Sequence, residues 1–294
     1  MDINGLSAFV TVARSGSFSQ AAARLYLTQP AISKRVAALE ADLGIRLLDR
    51  IGRRVILTGA GQELLPRAEA LLLEMADIRR SIGNLSDQVG GTLTMGTSHH
   101  IGLRRLPPVL QHYGRVYPAV RLDIRFMDSE AACNAVEKGE LELAVVTLPP
   151  LPSSNLETRL VWEDPLLFVA GKGHPLAERP RVRLEELAEW PAVLAARGTY
   201  TRGIMEQALA PRGVTLTTGM ETNYLETLKM LVSIGQGWSL LPETMTREGD
   251  LVVLQVEAPV LHRELGLVTH RRRTLSNAAR AMIDTCMGNT AENG

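Results

Sequence analysis

The sequence is poor in the residues that mark several protein classes. Only 2 of its 294 residues are cysteine and only 4% are aromatic. Two cysteines cannot build a disulfide framework or a four-cysteine metal site, and so few rings leave little surface for stacking single-stranded nucleic acid. No uninterrupted apolar run is long enough to span a membrane, and the N-terminus lacks the pattern of a secretory leader. We therefore expect a soluble, cytoplasmic protein without a membrane partner.

Net charge is also absent, because 32 basic side chains balance 32 acidic ones. The balance is uneven along the chain: residues 1–58 hold eight basic and four acidic residues, a charge of +4, so the remainder carries −4. A small basic unit on a larger acidic one indicates a polyanion partner for the small unit, although a charge fluctuation without a partner would look the same. The length predicts two or three folded domains.

The basic unit, residues 1–58, is called the reading head below and contains three helix signals. A first helix covers residues 3–14, and a second begins at the cap Ser19. The third runs from about residue 29 to residue 43 behind the cap Thr28, with a proline where its missing N–H is harmless. Two short helices joined by a tight turn predict a helix-turn-helix that enters the major groove. A three-helix core with a solvated arginine cluster is the alternative.

After the third helix, residues 47–58 have the pattern of a two-stranded hairpin with basic residues at its tip, a wing placed to contact phosphates. The reading head as a whole resembles the LysR-type transcriptional regulators at many fixed spacings, in segments 17–22, 28–33, 39–40, 43–44 and 57–58. Leu48 replaces the usual phenylalanine, an apolar exchange. Pattern and resemblance together predict these DNA-binding residues: Thr28, Gln29, Pro30, Ser33, Lys34, Arg35, Arg50, Arg53 and Arg54.

The next segment predicts a long linker helix, from about residue 60 to residue 88. Its apolar residues alternate at spacings of four and three, which favours a dimerising coiled coil; a helix packed on its own domain is the alternative. Residues 90–91, both glycine, end the helix. We expect a homodimer or homotetramer on double-stranded operator DNA, with RNA polymerase as a further partner. The dimerisation seam is Leu64, Ala68, Leu71, Met75, Ile78, Ile82 and Leu85.

Beyond the glycines, strand and helix signals alternate, which predicts parallel or mixed sheets with a crevice at the carboxyl ends of strands. Segments 139–144 and 235–242 resemble the effector-binding region of the LysR family. The resemblance implies an α+β multi-domain bacterial protein in three parts. They are a winged helix-turn-helix (1–58), a linker helix (59–89) and an α/β two-lobed effector domain like periplasmic solute-binding proteins (90–294). Lobe one is about 92–163 with 267–290, and lobe two is about 164–266.

Three loops of this last region carry hydroxyl, imidazole and guanidinium groups that suit a small anion or carboxylate. Ordinary turn capping is the alternative for Ser98 and Thr147. Adjacent histidines at 99 and 100 point apart and lack partners at ligand spacing, so we expect no metal. A redox role for Cys133 or Cys286 depends on a lowered thiol pKa. The predicted effector-binding residues are Ser98, His99, His100, Thr147, Thr199, Thr201 and Arg202.

The function predicted from these features is that of a DNA-binding transcriptional regulator controlled by a small molecule. An enzyme and a solute-binding transport component are the alternatives from other classes. The enzyme is disfavoured because no Ser-His-Asp set, carboxylate pair or phosphate loop occurs in a supporting context. The transport component leaves the reading head unexplained. No cofactor other than the effector is expected.

Overall fold

A computed structural model describes residues 2–51, 54–86, 88–247 and 249–288. The chain divides into two compact units, residues 1–86 and residues 87–294. The linker helix, which was predicted as a separate part, belongs to the first unit together with the winged helix-turn-helix. Within the described residues no helix is long and apolar enough to cross a membrane.

The first unit is a winged helix-turn-helix followed by one long helix. Its second helix begins one residue after Ser17, whose hydroxyl accepts a hydrogen bond from the Gln20 N–H. The predicted cap Ser19 is therefore wrong: Ser17 has the extended backbone that a cap needs, whereas Ser19 lies inside the helix. The elements are α1 (Ile3–Ser15), α2 (Phe18–Arg24), α3 (Gln29–Leu43), β1 (Leu48–Ile51), β2 (Arg54–Leu57) and α4 (Gly59–Gly83).

Helix α4 is shorter than the predicted linker helix. Thr58 caps its start by accepting a hydrogen bond from the Gly61 N–H at 3.1 Å. It ends at Gly83, with Asn84 as its C-cap, and so stops before the glycine pair, of which Gly91 already belongs to the next strand. Leu85, which the heptad pattern included, therefore lies beyond the helix.

The second unit is built on one mixed sheet. Among the described residues nine strands pair in the order β4-β3-β5-β11-β6-β9-β7-β8, with β10 on β6. The elements are β3 (Gly91–Thr97), α5 (His99–Arg104), α6 (Leu106–Val116), β4 (Val120–Phe126), α7 (Ser129–Glu137), β5 (Leu143–Thr147), β6 (Leu156–Gly171), α8 (Leu184–Ala188), β7 (Ala192–Leu194), α9 (Tyr200–Leu209), β8 (Thr218–Glu221), α10 (Leu225–Ser233), β9 (Trp238–Pro242), α11 (Glu243–Thr246), β10 (Leu251–Val253), β11 (Leu261–His270) and α12 (Asn277–Gly288).

Two long antiparallel strands, β6 and β11, connect the two lobes. Strand β6 runs without interruption over 16 residues. Leu265 on β11 packs in the core of lobe one, whereas Leu261 packs in the core of lobe two. The returning chain therefore crosses near residue 263, a few residues earlier than predicted.

Two short helices, α5 and α6, follow β3 and are separated at Arg105. Pro107 lies in the first turn of α6, where its missing N–H cannot continue the hydrogen bonds of the preceding helix. Helix α5 begins two residues after the carboxyl end of β3, which pairs in parallel with β5.

Candidate functional site

The first turns of α3 hold the predicted base-reading residues on the outside of the reading head. Thr28, Gln29, Pro30 and Lys34 are exposed, and Ser33 and Arg35 are half-exposed. The opposite face is held in the core by three fully buried side chains, Ile32, Val36 and Leu39. The Thr28 hydroxyl accepts a hydrogen bond from the Ala31 N–H at 3.4 Å, so Thr28 also caps the helix.

Glu40 and Gly61 fix the strand of the wing against the helices. One carboxylate oxygen of Glu40, Oε1, accepts hydrogen bonds from the backbone N–H groups of Leu47 and Leu48 at 2.8 and 3.1 Å. Helix α4 approaches so closely that a Cβ on Gly61 would lie 2.1 Å from the Leu47 carbonyl oxygen. Glu40 lies in segment 39–40, which resembles the LysR family, but no local pattern predicted these long-range contacts of Glu40 and Gly61.

The two-stranded wing is present as predicted, with β1 and β2 antiparallel. Of the three arginines predicted there, Arg53 lies outside the described residues. Arg50 and Arg54 belong to the strands, but their side chains are also outside the description. Their contact with phosphates stays a prediction.

Tyr26 is an exposed aromatic residue that no motif in the sequence indicated. It lies in the turn between α2 and α3, its side chain is 95% exposed, and its backbone is left-handed with φ of 53°. Such a conformation is unfavourable for a bulky residue. The phenol lies two residues before the Thr28 cap, at the same end of α3 as the base-reading side chains.

The predicted dimerisation seam divides into two parts. Ala68 is fully buried in the core of the reading head, and Leu64 packs against that core. Ala68 has no surface left for a second copy, so assigning it to a dimer seam is wrong; Leu64 is half-buried and contributes part of its side chain to this core. Leu71, Ile78 and Ile82 are exposed, Met75 is half-buried, and Leu85 is exposed beyond the helix end.

A solvent-open cleft of about 530 Å³ lies between the lobes of the second unit, and "the cleft" below means this space. It contains six of the seven predicted effector-binding residues: Ser98, His99, His100, Thr147, Thr199 and Thr201. Ser98 precedes α5 without a capping hydrogen bond. Thr199, in contrast, caps α9: its hydroxyl accepts from the Arg202 N–H and donates to the Ala196 carbonyl.

Arg202 is the exception, and its assignment to the effector site is wrong. Its side chain is buried beneath α9, where Nε donates to Glu206 at 2.7 Å and Nη2 donates to Thr218 at 3.0 Å. It lines a small apolar pocket next to the cleft, which shares Ala195, Thr201 and Leu225 with it. The residue follows Thr201 directly, but successive side chains on a helix point about 100° apart, so only one of them faces the cleft.

Arg263 reaches the cleft from β11 and was not predicted. Its Nε donates to Asp164 at 2.7 Å, and its Nη1 donates to Thr201 at 3.4 Å. The second carboxylate oxygen of Asp164 accepts from Arg105 at 3.1 Å. Two guanidinium groups thus share one fully buried carboxylate, which leaves one excess positive charge at the floor of the cleft. In the sequence, Arg263 stands between the polar residues His262 and Glu264, so no local pattern distinguished it.

Hydrogen bonds across the cleft join the two lobes. Asp128 accepts from Asn223 at 2.8 Å, and Glu130 accepts from the Tyr200 N–H at the start of α9. At the rim, Arg104 and Glu226 form an ion pair at 2.8 Å. Asp128, Glu130 and Asn223 line the cleft, and none of them was predicted.

Comparison with known proteins identifies both units. Residues 3–62 match the family model for the bacterial regulatory helix-turn-helix of the lysR family, and residues 86–291 match the LysR substrate binding domain. The chain belongs to the LysR family of transcriptional regulators. The uncharacterized regulator YfeR of Shigella flexneri is 32% identical over 95% of this chain and 91% of its own length.

Solved structures of LysR-type regulators share the fold. Full-length OxyR from Pseudomonas aeruginosa is 24% identical, with 98% of both chains covered and a TM-score of 0.71. CbnR in complex with its target DNA is 19% identical, with 99% of this chain and 100% of that chain covered and a TM-score of 0.64. These structures confirm the predicted fold class, and the two family-model matches confirm the predicted family and regulator function: this LysR-type regulator joins a helix-turn-helix to an effector-binding domain.

The electrostatics of the cleft keep His100 neutral. Burial, together with the nearby Arg263 charge, lowers the pKa of His100 to about 4. Both ring nitrogens are buried without a hydrogen-bond partner among the described residues. A neutral imidazole has one donor and one acceptor, so it can bind a ligand group without adding charge.

The two cysteines lack the environment of redox sensors. Burial raises the pKa of Cys133 to about 11 and that of Cys286 to about 12, so both remain thiols at neutral pH. A thiol is a poor nucleophile compared with a thiolate. Within the part of the chain that the structure describes, no group of three His, Cys, Asp or Glu residues is arranged to hold a metal ion.

Proposed function

We propose that this LysR-type regulator is controlled by a small molecule whose anionic group binds at the floor of the cleft. The observation that carries the proposal is the unequal sharing of Asp164 by Arg263 and Arg105, which leaves one positive charge in excess. A buried charge is stable only when it is paired. A ligand carboxylate would pair with the excess charge.

Effector binding is proposed to change DNA binding through the contacts between the lobes. Asp128, Glu130 and Arg104 hold the lobes together from one side of the cleft. A ligand bound between the lobes is proposed to alter these hydrogen bonds and thereby the relative position of the two lobes. It shifts the lobes from one position to another only if its affinity differs between the two positions. The protein acts here as a sensor without turnover, consistent with a family of regulators.

The active form is proposed to be a homodimer joined along the second half of α4, or a tetramer built from such dimers. Ile78 and Ile82 are exposed by 50% and 64%, and apolar side chains on one helix face gain free energy when a second copy covers them. We propose that this assembly acts in the cytoplasm on operator DNA, with RNA polymerase as a further partner.

Thermal unfolding of the full chain tests the effector proposal. The three tryptophans, at positions 162, 190 and 238, all lie in the second unit, so their fluorescence reports on that unit. We expect at least one member of a panel of small carboxylates and amino acids, all of which carry a carboxylate group, to raise the melting temperature. If none of these compounds and not even inorganic sulfate raises the melting temperature, the result would contradict an anion-binding cleft.

The dimer proposal has its own measurement. Ile78→Glu together with Ile82→Glu should convert the protein to monomers in sedimentation velocity, whereas Leu64→Ala should lower the stability of the reading head without changing the oligomeric state. An unchanged dimer in the double variant would refute the seam.

A further inference from the structure

The cleft has a positive side formed by Arg263. This residue is only 5% exposed, and its Nη2 is buried without a hydrogen-bond partner among the described residues. Its Nε and Nη1 are held by Asp164 and Thr201. The guanidinium is therefore fixed in place with one donor edge unused, and the unpartnered ring nitrogens of His100 lie in the wall of the same cleft.

The cleft also has a negative side, formed by two carboxylates at the start of α7. Asp128 Oδ2 accepts from Asn223, and Glu130 Oε1 accepts from the Tyr200 N–H. The other oxygen of each carboxylate, Oδ1 and Oε2, accepts no hydrogen bond from any described residue. Both groups line the cleft. The two bonds hold the carboxylates in position while leaving one acceptor on each for a ligand.

A ligand with a single charge would suit only one side of this cleft. A simple carboxylate would bind Arg263 but face Asp128 and Glu130, and a simple amine would have the opposite problem. Like charges brought together without pairing are destabilising. A small zwitterion matches both sides, because its carboxylate and its ammonium group each meet an opposite charge.

We propose that the cleft binds a free amino acid, with its carboxylate on Arg263 Nη2 and its ammonium group on Asp128 and Glu130. This inference rests on the proposed function, which assigns the effector to the cleft, and it names the class of effector. The wall is otherwise composed of hydroxyl, amide and imidazole groups, with only Ala195 and Leu225 as apolar residues. The amino acid is therefore small or polar, with no large apolar side chain.

Matched ligand pairs test the proposal on the full-length protein. Glycine, alanine and serine are compared with acetate, propionate and 3-hydroxypropionate, which lack only the amino group, by tryptophan-detected melting. We expect at least one amino acid to raise the melting temperature by about 5–11 °C at a concentration about 100 times its Kd. Its matched acid should shift the temperature by less than about 1 °C at the same concentration.

The double variant Asp128→Asn with Glu130→Gln removes both negative charges. Each new side chain still has an amide oxygen that can accept the hydrogen bond from the Asn223 side chain or from the Tyr200 N–H. We expect at least a tenfold loss of affinity for the amino acid in calorimetric titration and an equal or higher affinity for the matched acid. Arg263→Lys keeps a charge beside Asp164 but lacks the second donor edge, so it should lose affinity for both ligands. The exposed Glu157→Gln is the control and should bind like the wild type.

Different failures have different meanings. If acids stabilise the wild type as well as their amino acids do, the zwitterion proposal is overturned while the anion-binding cleft remains. If no amino acid and no acid stabilises the protein, both proposals fail. An equal loss of affinity for the amino acid and for its matched acid in the double variant would also overturn the ammonium assignment. Removing two negative charges from the cleft cannot lower its affinity for an anion by electrostatics, so an equal loss would indicate general damage to the site.

Discussion

Removal of the Asp164 carboxylate is expected to destabilise the second unit strongly. Asp164 is fully buried, and it accepts charge-assisted hydrogen bonds from Arg263 at 2.7 Å and from Arg105 at 3.1 Å. In Asp164→Ala, the side chain of Arg105, which is 24% exposed, can turn toward water. The guanidinium of Arg263 cannot, because its side chain is only 5% exposed.

The cost follows from that unpaired buried charge. Removing one partner of a buried pair costs about 3–5 kcal/mol. For a unit of this size, 1 kcal/mol corresponds to about 2–4 °C in melting temperature. Asp164→Ala should therefore lower the melting temperature of the second unit by about 6–20 °C, measured by tryptophan fluorescence.

Two controls separate this account from general damage. Glu157→Ala removes an ion pair with Arg159 whose side chains are 43% and 52% exposed, and it should change stability by less than about 1 kcal/mol. Asp164→Leu combined with Arg263→Met removes both charges and should recover much of the loss. A loss below about 1 kcal/mol in Asp164→Ala, or a double variant less stable than either single one, would refute the reasoning.

Three further predictions concern pH, backbone packing and strain. The pKa of His100 falls from 6.5 to about 4 on folding, so the unfolded chain takes up a proton there at a higher pH than the folded protein does. The free energy of unfolding should therefore decrease as the pH falls from 6.5 to 4, by up to about 3 kcal/mol. Urea unfolding of His100→Gln should show a flatter pH dependence, and an unchanged slope would contradict this. Gly61→Ala places a methyl group against the Leu47 carbonyl and should abolish DNA binding. The control Gly59→Ala, where a methyl group would have no atom within 4 Å, should fold and bind DNA normally. Equal DNA binding by the two variants would be evidence against the close approach. Tyr26→Asn should stabilise the reading head by about 1 kcal/mol in thermal unfolding by relieving the left-handed backbone, and a destabilised variant would count against strain there.

Local patterns were sufficient to predict the reading head. Caps, glycine stops and apolar spacing act over a few residues, and these signals placed α3 from Gln29 to Leu43, where the structure has it. The Ser19 cap was wrong because two serines, at positions 17 and 19, offer the same chemistry and only the backbone conformation distinguishes them.

Tertiary packing decided what the periodicity left open. The heptad pattern treated Ala68 and Ile78 alike, but Ala68 packs into the core of its own unit and Ile78 remains exposed. A spacing pattern shows which helix face is apolar and does not show which partner covers it.

The cleft was predicted only in part for a similar reason. Loops at strand ends are visible in sequence, so Ser98 and Thr147 could be selected. Arg263 comes from the middle of a returning strand, and it meets Thr201 only because β6 and β11 cross between the lobes. Contacts between residues so distant in sequence leave no local signal.

Selection of binding sites from random-sequence duplex DNA tests the central claim most directly. The wild type should enrich a two-fold symmetric sequence with half-sites about one helical turn apart, or a multiple of that. Gln29→Ala should lose base preference within each half-site. Lys34→Ala should lower the affinity for DNA or reduce the base preference, while the selected sites stay two-fold symmetric. Failure of the wild type to enrich any sequence, or enrichment of the same sequence with equal affinity by Gln29→Ala and Lys34→Ala, would contradict the assignment of α3 as the DNA-reading helix.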